Sequence, residues 1–301
     1  MSKAAASLRP PLPLRADSGP RLPVARMVIG RSVGEAAALL PRLFALCRAA
    51  QGAAVAAALG QPADVDGIRQ EVIRDHLMKF HLGLPRLMQM PAVRLPDDWQ
   101  TDRAAVAQAV FGPAGRAPDS AGALAAFLVS GHGVAPVLAR LASLFAPGEA
   151  VAEGLPAVSA RTIWGKAPVE NSVAARHVAH PALTGLAQRH GRGPLWRAAA
   201  RLYDIEAALT GSLPPAQAPV PGEGLVPAAR GAYAMRIGTS DGVVTYFARV
   251  TPTDSLLAEG GVLERSLATL PADRALLGGL LLEVLDPCSP VKLVQPEAAN
   301  A

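Results

Sequence analysis

Two cysteines are the residues of this sequence best suited to binding a metal. Cys47 and Cys288 are the only cysteines among 301 residues, and they lie near opposite ends of the chain. Their thiolates are soft donors that suit transition metals such as iron. A lone cysteine is more often a small buried hydrophobic residue, and two cysteines can also form a disulfide. The residues alone therefore leave three roles open: metal ligands, independent core thiols or a disulfide.

The six histidines offer one pair at a helical spacing. His177 and His180 are three positions apart and can share a helix face, with Glu170 about two turns earlier. A zinc-type site needs further ligands, and a pair without them is more typical of surface or satisfied polar structure. His76 and His81 are five apart and do not share a face well. No motif typical of a hydrolase or of phosphate binding stands out either.

Short, interrupted helices are predicted to hold most of these residues, because the chain contains 28 glycines and 28 prolines. Ser32 and Glu35 have the spacing of a capping box that opens an Ala/Leu-rich helix. This helix can run to Gly60, with a kink or a break at Pro41, and it would contain Cys47. Further helical stretches are predicted at 65–82, 101–110, 119–130, 134–146, 168–210 and 272–282.

A pair of strands is predicted in the C-terminal third of the chain. Residues 233–237 and 243–250 have strand-like composition, and Asp241-Gly242 between them is a typical hairpin turn. A Pro-rich loop near 211–224 precedes them. The predicted fold class is therefore mainly α with a small β element, an α+β fold.

Both ends of the chain are predicted to lack regular helix. Residues 1–25 are rich in proline and arginine and are expected to form a flexible leader that contributes nothing to the core. Residues 26–301 are expected to form a single domain. Cys288 lies between Pro287 and Pro290, which exclude a regular helix, so it is predicted in an extended or turn segment.

The charge pattern excludes several classes of partner. Lys+Arg total 29 and Asp+Glu 24, a net charge of +5, but the cations are scattered singly and no basic run alternates with aromatic residues. We therefore expect no nucleic-acid partner. The N-terminus lacks the apolar core of a signal peptide, and the long uncharged stretch at 120–139 is interrupted by glycine and proline. The expected location is the cytoplasm, with reduced thiols and no membrane contact.

Several segments, in this chain order, resemble the motifs of nickel–iron hydrogenase large subunits. They are Arg42-Leu-Phe-Ala-Leu-Cys47-Arg-Ala-Ala-Gln51, His76-Leu-Met-Lys-Phe80-His81, Glu170-Asn-Ser-Val-Ala-Ala-Arg176, Ala228-Ala-Arg230-Gly231, Thr251-Pro252-Thr253 and Asp286-Pro287-Cys288. On these motifs the chain is identified as a member of the HupK-type hydrogenase expression/formation proteins, shortened relatives of the large subunit. The resemblance implies a hydrogenase-large-subunit-like helical core with a C-terminal β hairpin.

The departures from the motifs carry the functional argument. A hydrogenase site holds nickel through four thiolates, and here Phe44 stands at the first cysteine of the N-terminal motif. Val291 stands at the second cysteine of the C-terminal motif, while Gln51 and Val294 replace the two motif histidines. Two thiolates cannot form a tetrathiolate nickel site. The resemblance therefore implies no nickel and no enzymatic activity.

The resemblance implies that the remaining residues hold iron. Cys47 and Cys288 would bind an iron that carries two cyanides and one carbon monoxide. Arg230 would donate to one cyanide and Thr253 would contact the other. Glu170 also belongs to a family segment, either at the site or as the anchor of a helix start. The implied function is a non-catalytic scaffold or chaperone that holds this unit before transfer to the large subunit.

The implied partners are a HypC-type carrier chaperone, other hydrogenase maturation proteins and the large subunit. An alternative function is a metal-free protein-binding adaptor derived from a large subunit. The first function requires Cys47 and Cys288 to meet beside Arg230, whereas the second allows them to lie apart. Because Val294 replaces the motif histidine, residues 293–301 are expected to escape the proteolytic trimming that large subunits undergo.

Overall fold

The computed structural model describes residues 14–20 and 22–294, which form a mainly helical arrangement with two small sheets, as the sequence predicts. The α-helices are α1 (Val24–Val28), α2 (Val33–Leu39), α3 (Arg48–Ala58), α4 (Val65–Met78), α5 (Leu84–Leu87), α6 (Arg103–Phe111), α7 (Ala121–Leu128), α8 (Ala135–Leu144), α9 (Val173–Arg176), α10 (Pro181–His190), α11 (Pro194–Thr210), α12 (Pro252–Leu256), α13 (Val262–Ala268) and α14 (Gly278–Leu285). Short 3-10 turns cover Leu40–Arg42, Gly112–Ala114 and Ala272–Leu277, and a π-helical turn covers Lys79–Gly83. The strands are β1 (Arg15–Asp17), β2 (Glu223–Ala228), β3 (Gly231–Ser240), β4 (Val243–Val250) and β5 (Lys292–Val294).

Helix α11 lies at the centre of the core. It begins with Pro194 in its first turn and ends at Gly211, which has φ +78°, so its boundaries follow the usual proline and glycine signals. Most of its residues are buried, which is typical of a helix surrounded by protein on all sides. Helices α4, α8, α9, α10 and α14 pack against it. Their contacts place charged residues of α11 next to the segments that hold the cysteines.

The larger sheet is antiparallel, with strand order β2-β3-β4. Its β3–β4 pair contains both predicted strand segments and turns at Asp241-Gly242, with a register shift between Gly238 and Thr239. The third strand, β2, was not predicted and starts inside the expected Pro-rich loop. Because α12, α13 and α14 follow β4, this hairpin is not the last element of the chain.

The buried strand β2 packs tightly against α3. All six of its residues are buried, and Gly224 makes the closest approach. A Cβ atom at position 224 would lie 2.2 Å from the backbone oxygen of Ala54. Only glycine therefore fits between the strand and this helix without a backbone shift. The contact fixes α3, and hence the segment before it, relative to the sheet.

The helix predicted over 32–60 is broken at Pro41, one of the two outcomes that the sequence leaves open, and its capping box is present. The Ser32 side chain accepts from the Glu35 N–H, and the Glu35 carboxylate accepts from the Ser32 N–H. Helix α2 then ends at Leu39, and the chain passes through the 3-10 turn that contains Pro41. Proline cannot donate the helical hydrogen bond, so the helix stops there. Cys47 consequently precedes α3 instead of lying inside a helix.

The two ends of the described chain meet in the second sheet. Strand β1 pairs antiparallel with β5, so that Ala16 lies opposite Leu293. Val24 begins α1 and is buried, so the prediction that residues 1–25 contribute nothing to the core is wrong at this position. Residues 1–13 and 21 of the expected leader lie outside the described residues. So do residues 295–301 of the tail that was expected to stay uncleaved.

No helix in the described ranges is both long and apolar enough to cross a membrane.

Candidate functional site

Cys47 is held in an unusual backbone conformation at the start of α3. Its φ is +55°, in the left-handed region that non-glycine residues rarely adopt, and its side chain does not cap the helix. The carboxylate of Glu71 caps the helix instead, accepting from the N–H groups of Ala49 (2.9 Å) and Ala50 (3.4 Å). The Cys47 thiol is therefore buried but not engaged in capping.

Cys288 follows the end of α14. Asp286, with φ +54°, ends this helix in the left-handed conformation, and Pro287 prevents its continuation. The backbone N–H of Cys288 donates to Oγ1 of Thr253 over 2.6 Å. Thr253 is itself fixed in the first turn of α12, which begins with a capping box. The two segments with family-like motifs thus hold each other in place.

The structure brings the two thiols together. Cys47 and Cys288 are unbridged, line the same cavity and lie close enough for each thiol to change the pKa of the other. The Cys47 thiol lowers the pKa of Cys288, as does the nearby Arg230 guanidinium. Cys288, together with burial, raises the pKa of Cys47 well above its usual value. Of the two thiols, Cys288 therefore loses its proton more readily.

Arg230 lies directly behind Cys47. Its Nη1 is 3.6 Å from the Cys47 Sγ atom and 2.7 Å from Oδ2 of Asp75. Its Nε is 3.3 Å from Oδ2 of Asp286. Burial lowers the pKa of Arg230, but Asp286 and the two thiols raise it by more, so the guanidinium stays charged. The thiol pair thus has one fixed cation beside it.

A buried polar network continues from Asp286 through the core. Nη2 of Arg201 is 3.3 Å from Asp286, and its Nη1 is 2.9 Å from Nδ1 of His76. Nε2 of His76 is 2.8 Å from Oδ2 of Asp204. Arginine can only donate, so Nδ1 of His76 accepts and Nε2–H donates, which is the neutral tautomer. Burial lowers the pKa of His76 to about 4, in agreement with this assignment.

Arg176, at the end of the family-like segment 170–176, joins this network to the sheet. It forms a two-point ion pair with Asp204, at 2.9 and 2.7 Å. It also donates to the backbone oxygens of Gly231 (2.7 Å) and Ala228 (2.9 Å). These hydrogen bonds from Arg176 therefore hold the turn between β2 and β3, which carries Arg230, in place.

Glu170 lies near the thiols but does not face them. It is 1 % exposed and forms an ion pair with Arg197 on α11. It lines a separate internal cavity of about 20 Å³, which it shares with Arg230, Thr253 and Asp286. A cavity of this size has room for one water molecule. Glu170 therefore does not line the space in front of the cysteines.

The histidine pair is structural. Nε2 of His177 lies 3.0 Å from Asp204, and the His180 ring packs on Tyr203 with ring centres 4.0 Å apart. His180 also accepts from the N–H of Ala182 and so caps α10. Within the described part of the chain, no group of three or more His, Cys, Asp or Glu side chains is arranged to hold a metal ion.

A cavity of about 590 Å³ opens in front of the two thiols. Both cysteines and Thr253 line it, whereas Arg230 stands behind Cys47 and is not part of the wall. Phe44, which replaces a motif cysteine, packs on the wall with the Arg249 guanidinium 4.3 Å from its ring centre. This cavity, called the cysteine cavity below, can hold a group much larger than a bare ion.

Two residues that the sequence did not single out as site residues also line the cysteine cavity. Gln51 was noted only as a replaced histidine and Tyr233 only as a strand residue. Gln51 donates to the Leu46 backbone oxygen at 3.0 Å, while its Oε1 is buried and has no hydrogen bond to the described residues. The buried Tyr233 hydroxyl has no well-aligned hydrogen bond in this part of the chain, and the nearby Arg249 guanidinium only partly offsets the burial that raises its pKa. Buried polar atoms of this kind favour a ligand that supplies the missing partners.

Comparison with known proteins identifies the family. No family model matches the chain. It is 44 % identical over 292 residues to the hydrogenase expression/formation protein HupK of Rhodobacter capsulatus, covering 97 % of this chain and 93 % of that protein. The chain belongs to the HupK family of hydrogenase expression/formation proteins. The resemblance drawn from the motifs is thereby confirmed.

The fold of this HupK relative is that of nickel–iron hydrogenases. It matches the oxidised Ni-Fe-Se hydrogenase of D. vulgaris Hildenborough with a TM-score of 0.56 and 14 % identity, over 91 % of this chain and 95 % of that chain. The reduced, active enzyme of Desulfomicrobium baculatum gives a TM-score of 0.52 and 13 % identity, over 90 % and 92 %. At such low identity the match shows a shared fold, and activity has to be argued from the site residues.

Proposed function

We propose that this chain is a non-catalytic scaffold in nickel–iron hydrogenase maturation. It transiently holds an iron–dicyano–carbonyl unit on Cys47 and Cys288 before the unit is transferred to the large subunit. The observation that carries the proposal is the meeting of two thiols from opposite ends of the chain in one cavity, beside a fixed guanidinium. Membership of the HupK family supports the link to hydrogenase formation.

The two thiols suit an iron that already carries cyanide and carbon monoxide better than they suit a bare metal ion. Two thiolates alone leave most coordination positions of an iron empty, but an iron that already carries three strong-field ligands needs few more. Iron(II) with two cyanides and two thiolates carries net negative charge, which Arg230 offsets from behind Cys47. Loading would release the thiol protons, because iron binds the thiolate form.

The cysteine cavity offers hydrogen-bond donors for cyanide nitrogens. The Oγ1 atom of Thr253 accepts from Cys288, so its own O–H remains able to donate. The Tyr233 hydroxyl is a second donor on the wall. Arg230 would have to reach past Cys47, and Glu170 acts only indirectly, through the small cavity behind Arg230. We therefore assign Thr253 the more direct part in holding the cargo.

The proposed role defines its partners and excludes turnover. Phe44 and Val291 occupy positions where nickel-binding thiolates would be needed, so the scaffold neither binds nickel nor converts hydrogen. A HypC-type carrier chaperone and other maturation proteins would deliver the unit, and the hydrogenase large subunit would receive it.

Infrared spectroscopy tests the proposal. Protein purified anaerobically from a host that expresses the hydrogenase maturation proteins is expected to show two cyanide bands and one carbonyl band. Cys47→Ala and Cys288→Ala should each abolish them, because either leaves a single thiolate. Ser289→Ala removes a neighbouring polar side chain from the same cavity wall and should keep all three bands. Absence of bands from a folded wild-type protein that still binds maturation partners would instead establish a metal-free adaptor.

A further inference from the structure

Both ends of the described part of the chain contribute to one wall of the cysteine cavity. From the N-terminal side, residues 17–20 and Leu22 line it, directly after β1. From the C-terminal side, Ser289, Pro290 and Lys292 line it, directly before or within β5. The β1–β5 pairing joins these two segments across the cavity, with Asp17 opposite Lys292.

This wall is weakly held. Strands β1 and β5 have three residues each, and the side chains of β1 are exposed. A two-stranded sheet of this kind is marginal unless other elements support it. Its support consists of contacts between β1 and α13 and of a pair of leucines, Leu14 and Leu293, that pack over Gly278 at the start of α14. These contacts are small compared with the buried surroundings of α3 and α11, so the wall can open while the core stays folded.

The wall is also directly connected to one of the thiols. Only residues 289–291 separate Cys288 from β5. When β5 is displaced, either the Cys288 backbone must move with it or the chain must bend within these three residues. On the other side, Gly19 has φ +56° and its N–H donates to the Asp17 side chain, which turns the chain along the cavity. The two strands and the residues next to them therefore form one wall of the cavity that lies in front of the thiol pair.

We propose that β1 and β5 form a clasp that opens to give access to Cys47 and Cys288. In the state described here Asp17 and Lys292 of the clasp line the cavity in front of the thiols, and separation of the two strands makes both thiols more accessible to solvent and to a partner. Its use in loading and releasing the iron unit rests on the proposed function. The gating itself concerns only thiol access, and it can be measured on metal-free protein.

Adjacent glycines provide a matched pair of variants that test the clasp. A Cβ atom at Gly278 would lie 2.7 Å from the terminal carbons of both Leu14 and Leu293, whereas one at Gly279 meets nothing within 4 Å. Both substitutions place alanine at the start of the same helix, so they change helix propensity alike. Gly278→Ala is expected to loosen the clasp and to speed alkylation of Cys288 by iodoacetamide about five- to tenfold. Gly279→Ala should react at the wild-type rate.

A second variant locks the clasp instead of loosening it. Arg15 and Val294 are directly opposite each other, and paired positions of antiparallel strands lie within the range of a disulfide. After oxidation, Arg15→Cys/Val294→Cys should slow alkylation of Cys47 and Cys288 about tenfold, with recovery on reduction. Peptide mass spectrometry assigns the reaction to each cysteine and verifies the intended bridge.

The outcomes of these experiments test the clasp independently of the proposed iron unit. A locked protein that is alkylated at the wild-type rate, or equal rates in the two glycine variants, would overturn the clasp. Gated thiols in a protein that never shows cyanide and carbonyl bands would retain the clasp and refute the iron scaffold.

Discussion

At the scale of single residues, Glu71 is the group on which the position of Cys47 depends most. Its carboxylate is 5 % exposed and receives the N–H groups of Ala49 and Ala50, the second and third residues of α3. The helix starts immediately after Cys47, whose left-handed conformation must be compensated by such contacts. Glu71 therefore acts as a positioning residue for the thiol, although it lies on a different helix.

Replacement of Glu71 is expected to destabilise the protein and to disturb Cys47. Glu71→Ala leaves the half-buried N–H of Ala49 and the buried N–H of Ala50 without an acceptor and should lower the free energy of unfolding by about 1–3 kcal/mol. Glu71→Gln keeps one acceptor oxygen and should recover part of that loss. Urea denaturation measures both, with Gln70→Ala on the same helix as the control. Equal losses in the alanine and glutamine variants would show that the negative charge of Glu71, not an acceptor oxygen or its packing, is what stabilises the start of α3.

The sequence predicted part of this site through motifs, and the reason it stopped there is physical. Cys47, Cys288, Arg230 and Thr253 each occupy a motif position, and the structure places them together. Their proximity could not be read from spacing, because long-range contacts set it. Glu71 was not predicted as a site residue, because an acidic residue in an amphipathic helix ordinarily faces solvent. Its contact with α3 is also long-range and cannot be read from spacing.

At the scale of elements, the difference between expected and observed helices has one cause. The sequence over 32–60 predicts a helix that is either kinked or broken at Pro41. The helix does stop there, and it resumes only at Arg48. Local propensity cannot decide between a kink and a break, because the packing of α3 on β2 determines the outcome. The break is what places Cys47 at a helix start.

The α3–β2 contact predicts a large effect for a very small substitution. Gly224→Ala puts a methyl group 2.2 Å from the Ala54 backbone oxygen, so the strand or the helix must shift. We expect a loss of about 1–3 kcal/mol in the free energy of unfolding, typical of overpacking. Gly34→Ala in α2 meets nothing within 4 Å and should be neutral or slightly stabilising. Thermal or urea denaturation of the two variants checks this, and a neutral Gly224→Ala would show that the contact is loose.

At the scale of the whole molecule, the buried polar network joins the site to the core. Asp286 beside the thiols contacts Arg201 of α11, which contacts His76 of α4. Asp204 then connects His76 to Arg176 and the β2–β3 turn. Removing charges from water is costly, so such a network persists only when every member is paired. The segments that carry the family motifs are thus coupled to one another through α11.

This coupling predicts a pH dependence centred on His76. Its pKa is lowered from 6.5 to about 4 in the folded protein, chiefly by burial, so between these values the unfolded state binds more protons than the folded state. The contribution of His76 is fully present above pH 6.5. It declines as the pH falls below 6.5 and is lost below about 4, a total of about 3 kcal/mol.

Urea denaturation between pH 7 and 4 should show this decline. In His76→Gln, which is less stable at pH 7, the dependence should be weaker. His132→Gln replaces an exposed histidine and should keep the wild-type dependence. An equally steep decline in His76→Gln would assign the pH dependence to other groups in the protein.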